Sequence, residues 1–283
     1  MKKILKDIVR RAINRCVIFN RKTRIGRYFN EQMIDAFMSR TEEVRHAGLN
    51  FTFSTPNELS TWRAKTFLTK EPETLAWIDE MPQGSVFWDV GANVGLYSLY
   101  AAKKRQCNVW AFEPSVFNLE LLARNINLNQ LTDNICIVPL ALSDQLRDSH
   151  LNMISTSWGG ALSAFGSNIG FDGKKIDVSF KVRTIGLTME DAVQRLLLPR
   201  PDYIKIDVDG IEHLILKGGA NLLKNVKGIL IEINDSLEEQ SKDSQTFLFQ
   251  SGLTLISKHH SAFTNQDLSI QCNNQIWLRT RPI

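Results

Sequence analysis

The sequence has no CxxC pair and only four cysteines, Cys16, Cys107, Cys136 and Cys272, scattered along 283 residues. That spacing argues against a disulfide framework and against a thiolate zinc site, and it fits a reducing, cytoplasmic setting. No apolar run reaches the roughly 18 residues that a membrane-crossing helix needs. The N-terminus also lacks the uninterrupted apolar core and small-residue cleavage site of a signal peptide. There is no internal repeat and no low-complexity tract. The GxGxxG pattern of dinucleotide-binding turns is missing too.

What is present suffices for a sizeable core, with 43% hydrophobic and 23% charged residues. A prior of roughly 150 residues per domain allows one large domain or two small ones. We read one domain, residues 75–283, behind an N-terminal helical extension, residues 1–74. The net charge of +4 is unevenly placed. Residues 1–30 hold ten Lys or Arg against one acid, Asp7, a local +9, so the rest of the chain is net acidic by five charges. The basic character belongs to the extension. No nucleic-acid-binding motif appears, and no nucleic-acid partner is expected.

Short β-branched runs alternate with helical segments, the pattern of an α/β sheet covered on both faces. Strands are expected at 86–90, 108–112, 135–139, 203–208, 229–233, 253–258 and 275–279. Helices are expected at 94–104, 116–129, 188–198, 211–224 and 237–250. The last two strands, joined by a polar loop with His259, His260 and Asn265, should pair antiparallel. Around TSWGGALSAFGSNIGFDG the rhythm breaks, so residues 144–183 are expected to form an irregular insertion.

The stretch VFWDVGANVGLYSLYAA, residues 86–102, passes from strand to helix through DVGANVG. This puts backbone N–H groups and a helix start at the carboxyl end of the first parallel strand, where open α/β sheets bind ligands. Gly91 and Gly95 permit a close approach, and Asp89 would repel a pyrophosphate while suiting a cation or an amino group. AFEP ends the second strand with Glu113, placed to accept both ribose hydroxyls of a nucleoside. PLALSD, residues 139–144, ends the third. Its backbone can flank an adenine, and Ser143 or Asp144 can bond the edge of the base.

DVGANVGLYSLYAA, AFEP with LLARNINLN, LALSD and YIKIDVDGIEHLILKGG resemble, in that order and spacing, one known family. It is the FkbM-type branch of the class I S-adenosylmethionine-dependent methyltransferases. The resemblance implies a Rossmann-like sheet of seven strands with a reversed last strand and helices on both faces. It also implies S-adenosylmethionine as donor and O-methylation of a sugar or other hydroxylated small molecule or glycan. By the same resemblance Gly91, Asn93 and Gly95 shape the methionine end of the pocket, Glu113 holds the ribose, and Ala141, Leu142 and Ser143 border the adenine. The family's DVEG block reads DVDG here, with Asp209. A nicotinamide-dependent oxidoreductase and a non-catalytic scaffold with the same fold are the competing classes.

Asp207 ends the strand beside the first and should face the methyl group and the acceptor. A general base there is worth about 10²- to 10⁴-fold, and Asp207 is the best-placed one; its other reading is a carboxylate that orients the donor's amino group or a loop. Asp209 and Glu212 have the spacing of a capping box, with His213 next to them. Glu232, in LIEIN, can point into the same crevice. Asp207, Asp209 and Glu232 are thus the catalytic candidates; they offer hard oxygen ligands, but nothing in their spacing requires a metal and none is expected. Ser155, with Trp158, Gly159, Gly160 and Ser163 of the TSWGGALSAF stretch that follows it, combines an aromatic face with hydroxyls, a mixture suited to a carbohydrate acceptor. Finally, MKKILKDIVRRAINRCVIFN reads as a basic amphipathic helix. Such a helix can lie on an anionic membrane, pack on the domain, or make an oligomer.

Overall fold

The computed structural model describes residues 2–260 and 272–280; Asn265 of the expected polar loop lies outside the described residues. The chain opens with helices α1 (Lys2–Asn20) and α2 (Arg24–Met38), joined by a turn in which Thr23 Oγ1 accepts the Gly26 N–H at 3.0 Å. Strands β1 (Thr41–His46) and β2 (Leu49–Ser54) follow as an antiparallel hairpin, then α3 (Glu58–Thr66) and α4 (Pro72–Asp79). Residues 41–54 are therefore not helical, as the sequence reading has them. LNFTFS places Phe51 and Phe53 on one face of β2, where both are buried, with the rings of Phe67 and Tyr100 5.5 Å and 5.7 Å from that of Phe51.

The sheet elements follow in order: β3 (Val86–Val90), α5 (Leu96–Arg105), β4 (Asn108–Phe112), α6 (Val116–Leu128) and β5 (Ile135–Val138). Next come β6 (Ala141–Leu142), β7 (Arg147–Met153), β8 (Ala164–Phe165), β9 (Phe180–Leu187) and α7 (Met189–Arg195). The chain continues with β10 (Tyr203–Ile206), α8 (Glu212–Lys217), β11 (Gly228–Asn234), α9 (Glu238–Gln250), β12 (Thr254–His260) and β13 (Cys272–Leu278). Seven of these strands form one sheet in the order β12-β13-β11-β10-β3-β4-β5. The last strand, β13, runs antiparallel to both neighbours, while β11, β10, β3, β4 and β5 pair parallel. This is the Rossmann-like α/β sheet with a reversed last strand. Alternation along each strand feeds a separate core on each face: Phe87 joins one, Trp88 and Val90 the other.

Three expectations give way to the structure. Residues 147–153 and 180–187 are not irregular: β7 and β9 pair antiparallel along their length in a second sheet, ordered β6-β9-β7-β8. FKVR at the start of β9 alternates apolar and polar residues as a half-buried strand does, whereas β7 opens on four polar residues, RDSH, and turns to the core at Leu151 and Met153. The helix expected at 211–224 stops at Lys217, where two glycines, weak helix formers, follow; Gly218 and Gly219 pack against the Ser143 carbonyl and the Met189 side chain with no room for a Cβ. His259 and His260 end strand β12 instead of lying in a loop.

Candidate active site

The carboxyl ends of β3, β4 and β10 open into a cleft of about 580 Å³ lined by Gly91, Asn93, Glu113, Ala141, Leu142 and Asp209, among others. Phe112, Leu140, Leu151 and Phe165 give it an apolar wall. Glu113 is buried, and two backbone amides aim it: the Asn93 N–H donates to Oε2 and the Ser115 N–H to Oε1, both at 2.8 Å. The Asn118 amide also donates to Oε1, at 3.5 Å, so Oε2 is the oxygen that keeps a lone pair for another donor. Burial pushes its pKa up to about 7, against the pull of those amides. Asn93 Oδ1 is buried without a hydrogen-bond partner, although its amide nitrogen donates to the Gly160 carbonyl at 2.8 Å.

The glycines serve the fold before any ligand. Gly91 has φ +85°, and a Cβ there would sit 1.9 Å from the Asp207 carbonyl oxygen. Gly95, at φ +86°, caps α5, and its missing Cβ would meet Leu122 at 2.5 Å. Three residues expected at the cofactor do not line the cleft. Asp89 is buried beneath the turn and accepts the Ser98 hydroxyl at 2.6 Å; Gly95 faces α6; the Ser143 side chain is fully buried, its hydroxyl 3.3 Å from Asp144.

A second, wider cleft of about 2030 Å³ adjoins the first, lined by Trp62, Arg63, Lys70, Ser155, Asp207 and Glu232, among others. Gly91, Asn93, Gly160, Ala161, Asp207 and Asp209 belong to both. The segment 158–163 stands between them and is held from several sides. Arg63 Nε donates to the Gly159 carbonyl at 2.7 Å, Asn118 accepts the Gly159 N–H at 3.1 Å, and Asp209 accepts the Leu162 N–H at 2.7 Å. Trp158, expected as an aromatic face for an acceptor, packs on the core and donates its indole N–H to Glu120 at 3.0 Å. Trp62 presents the aromatic surface instead. Asp209 and Glu212 do not make a capping box: Ile211 is the N-cap of α8, and Glu212 bonds the Gly210 N–H at 3.1 Å.

The three catalytic candidates meet here with unlike basicity. Lys205, 1% exposed in mid-strand, donates to Asp207 at 2.7 Å and lies 4.9 Å from the Tyr97 ring centroid. Burial alone would raise the Asp207 pKa, but Lys205, Lys70 and Arg63 more than offset it and hold the carboxyl below its ordinary range. Asp209 is pushed up to about 6 by burial and by Asp207. Glu232 is raised well above the carboxylate range by burial, Asp207 and Glu71. Asp207 is thus the carboxyl held most strongly in its ionised form, while Asp209 and, further, Glu232 are shifted toward their neutral forms. Lys205, Arg63, Lys70 and Asn118 are the site residues that sequence reasoning misses.

The methyltransferase FkbM domain matches residues 89–261. The hexuronic acid methyltransferase AglP of Haloferax volcanii is 26% identical over 204 residues, covering 69% of this chain and 74% of that protein. The methyltransferase sdnD of Sordaria araneosa is 28% identical over 199 residues, covering 59% of this chain and 76% of that protein. The solved structure of the FkbM methyltransferase from Methylobacillus flagellatus superposes with a TM-score of 0.46 at 14% identity, over 90% of this chain and 59% of that one. The domain match covers more than half of the chain and the whole lining of the first cleft, while Trp62, Arg63, Lys70 and Cys272 of the second lie outside it: the chain belongs to the FkbM family of methyltransferases.

Proposed function

We propose that the protein methylates a hydroxyl group of a sugar with S-adenosylmethionine as donor, and that the acceptor is an acidic sugar. The observation that carries this reading is the shared wall of the two clefts, where Asp207 and Asp209 face both. The first cleft suits the donor. Glu113 Oε2 has a lone pair free for the ribose hydroxyls, the unpartnered Asn93 Oδ1 suits the donor's amino group, and Ala141 and Leu142 offer an apolar border to the adenine. When bound, the donor supplies an electrophilic methyl group on a sulfonium. In the second cleft, Trp62 supplies an aromatic face, and Arg63, whose Nε is bonded to the Gly159 carbonyl, and Lys70, paired with Glu71, are the cations that would meet a carboxylate. Asp209 takes the proton of the attacking hydroxyl, Glu232 borders the acceptor in its neutral form, and Asp207, kept ionised by Lys205, holds negative charge beside the donor. The name of the Haloferax relative, a hexuronic acid methyltransferase, supports the choice of acceptor.

Transfer of a radiolabelled methyl group to a panel of uronic acids, neutral sugars and glycans tests this. Label is expected on uronic acid acceptors, and Arg63→Gln should raise KM for them more than for neutral sugars. Equal transfer to neutral and acidic sugars, unaffected by Arg63→Gln, would contradict the acidic acceptor.

A further inference from the structure

The N-terminal helices have no part in either cleft, yet they carry an unusual surface. On α1, Ile4, Leu5, Ile8, Ile13, Ile18 and Phe19 are all more than half exposed. On α2, Ile25 is 82% exposed and Tyr28, Phe29 and Ile34 are more than half exposed. Helices usually bury such stripes. The two are set as a hairpin: Gly26 lies so close to the Asn20 backbone that a Cβ would meet its carbonyl oxygen at 2.1 Å, and the Asn30 amide donates to the Val17 carbonyl at 3.3 Å. Among the described residues no helix is long and apolar enough to cross a membrane.

Charge selects the occupant of this apolar face. With ten basic side chains against one acid in residues 1–30, a second copy of the hairpin would bring the same strong positive charge. We infer that the hairpin docks on an anionic lipid surface, its apolar stripes entering the headgroup boundary and its Lys and Arg residues meeting the lipid phosphates. Each basic side chain near such a surface is worth about fivefold in partitioning. The inference stands independently of the acceptor and of the donor.

Sedimentation of the full chain with phosphatidylcholine vesicles, with and without phosphatidylglycerol, tests it. Binding is expected to the anionic vesicles at low salt and to fall as salt screens the charges. Replacing Arg10→Gln, Arg11→Gln and Arg15→Gln together should lower partitioning on the order of a hundredfold. Ile8→Asp with Phe19→Asp should abolish it, with the thermal unfolding midpoint unchanged. No sedimentation with anionic vesicles would overturn the inference, as would a stable dimer in solution that anionic vesicles do not dissociate. The comparison of the two vesicle types on the unaltered chain decides the matter whatever the variants do.

Discussion

Lys205 and Asp207 lie two positions apart at the end of β10, and the site depends on that pair being made. A lysine this deeply buried is tolerated only with counter-charges, and here Asp207, Glu71 and Asp89 outweigh the effect of burial and raise its pKa. Lys205→Met removes the cation and leaves carboxylates buried without it, a change that costs about 3–5 kcal/mol. Urea unfolding should show that loss; an unchanged midpoint would contradict the pairing. Glu113 gives a pH signature. Its pKa is about 7 in the fold against 4.5 for the ordinary group, so the stability from its neutral form is fully present below pH 4.5 and is lost as pH rises through about 7. Glu113→Gln stays neutral, and its melting temperature should fall less than that of the unaltered protein over that window. Parallel curves would place Glu113 in a wetter setting. Asp207→Asn should slow turnover more than it weakens donor binding, because it removes a charge beside the reacting atoms. A matched loss of both would make Asp207 a donor-binding residue.

The turn between β3 and α5 was legible as an element, but the reason for its glycines was not. DVGANVG announces a strand-to-helix turn at a ligand-binding edge, yet what presses on Gly91 is the Asp207 carbonyl, more than a hundred residues later in the chain. Gly91→Ala therefore combines a left-handed backbone with an overpacked contact and should cost about 2–5 kcal/mol. Denaturant unfolding checks this, and near-normal stability would show that the strand end can yield. Asp209 makes a second such link, because its carboxylate holds the 158–163 segment between the clefts. Asp209→Asn keeps an acceptor for the Leu162 and Ser163 N–H groups, whereas Asp209→Ala does not. Limited proteolysis should cut that segment faster in the alanine variant alone. Equal cutting of both would mean that charge, not the hydrogen bonds, holds it.

For the whole molecule, short β-branched and apolar runs alternating with helical segments carried the sheet: VFWDV and GILIEIN are buried along most of their length and too short for a buried helix. Glu113 was legible for a similar reason: it ends a strand in a fixed place relative to the glycine turn. Arg63 and Lys70 were not, since they sit in a stretch that reads as part of the extension and reach the site only because the β1–β2 hairpin anchors that stretch on the core through Phe51 and Phe53. Lys205 could not be seen either. In YIKID it alternates like any surface residue, and its burial is made tolerable by Asp207 together with the distant Glu71 and Asp89. The central claim is that the cleft edged by Glu113 binds S-adenosylmethionine, and titration calorimetry of the full chain and of Glu113→Ala against that donor tests it most directly. The account predicts one donor site per chain, no comparable heat with NAD, and an affinity about 10- to 100-fold weaker in the variant, from the loss of hydrogen bonds to a charged group. Absence of donor binding, or an affinity unchanged by Glu113→Ala, would contradict it.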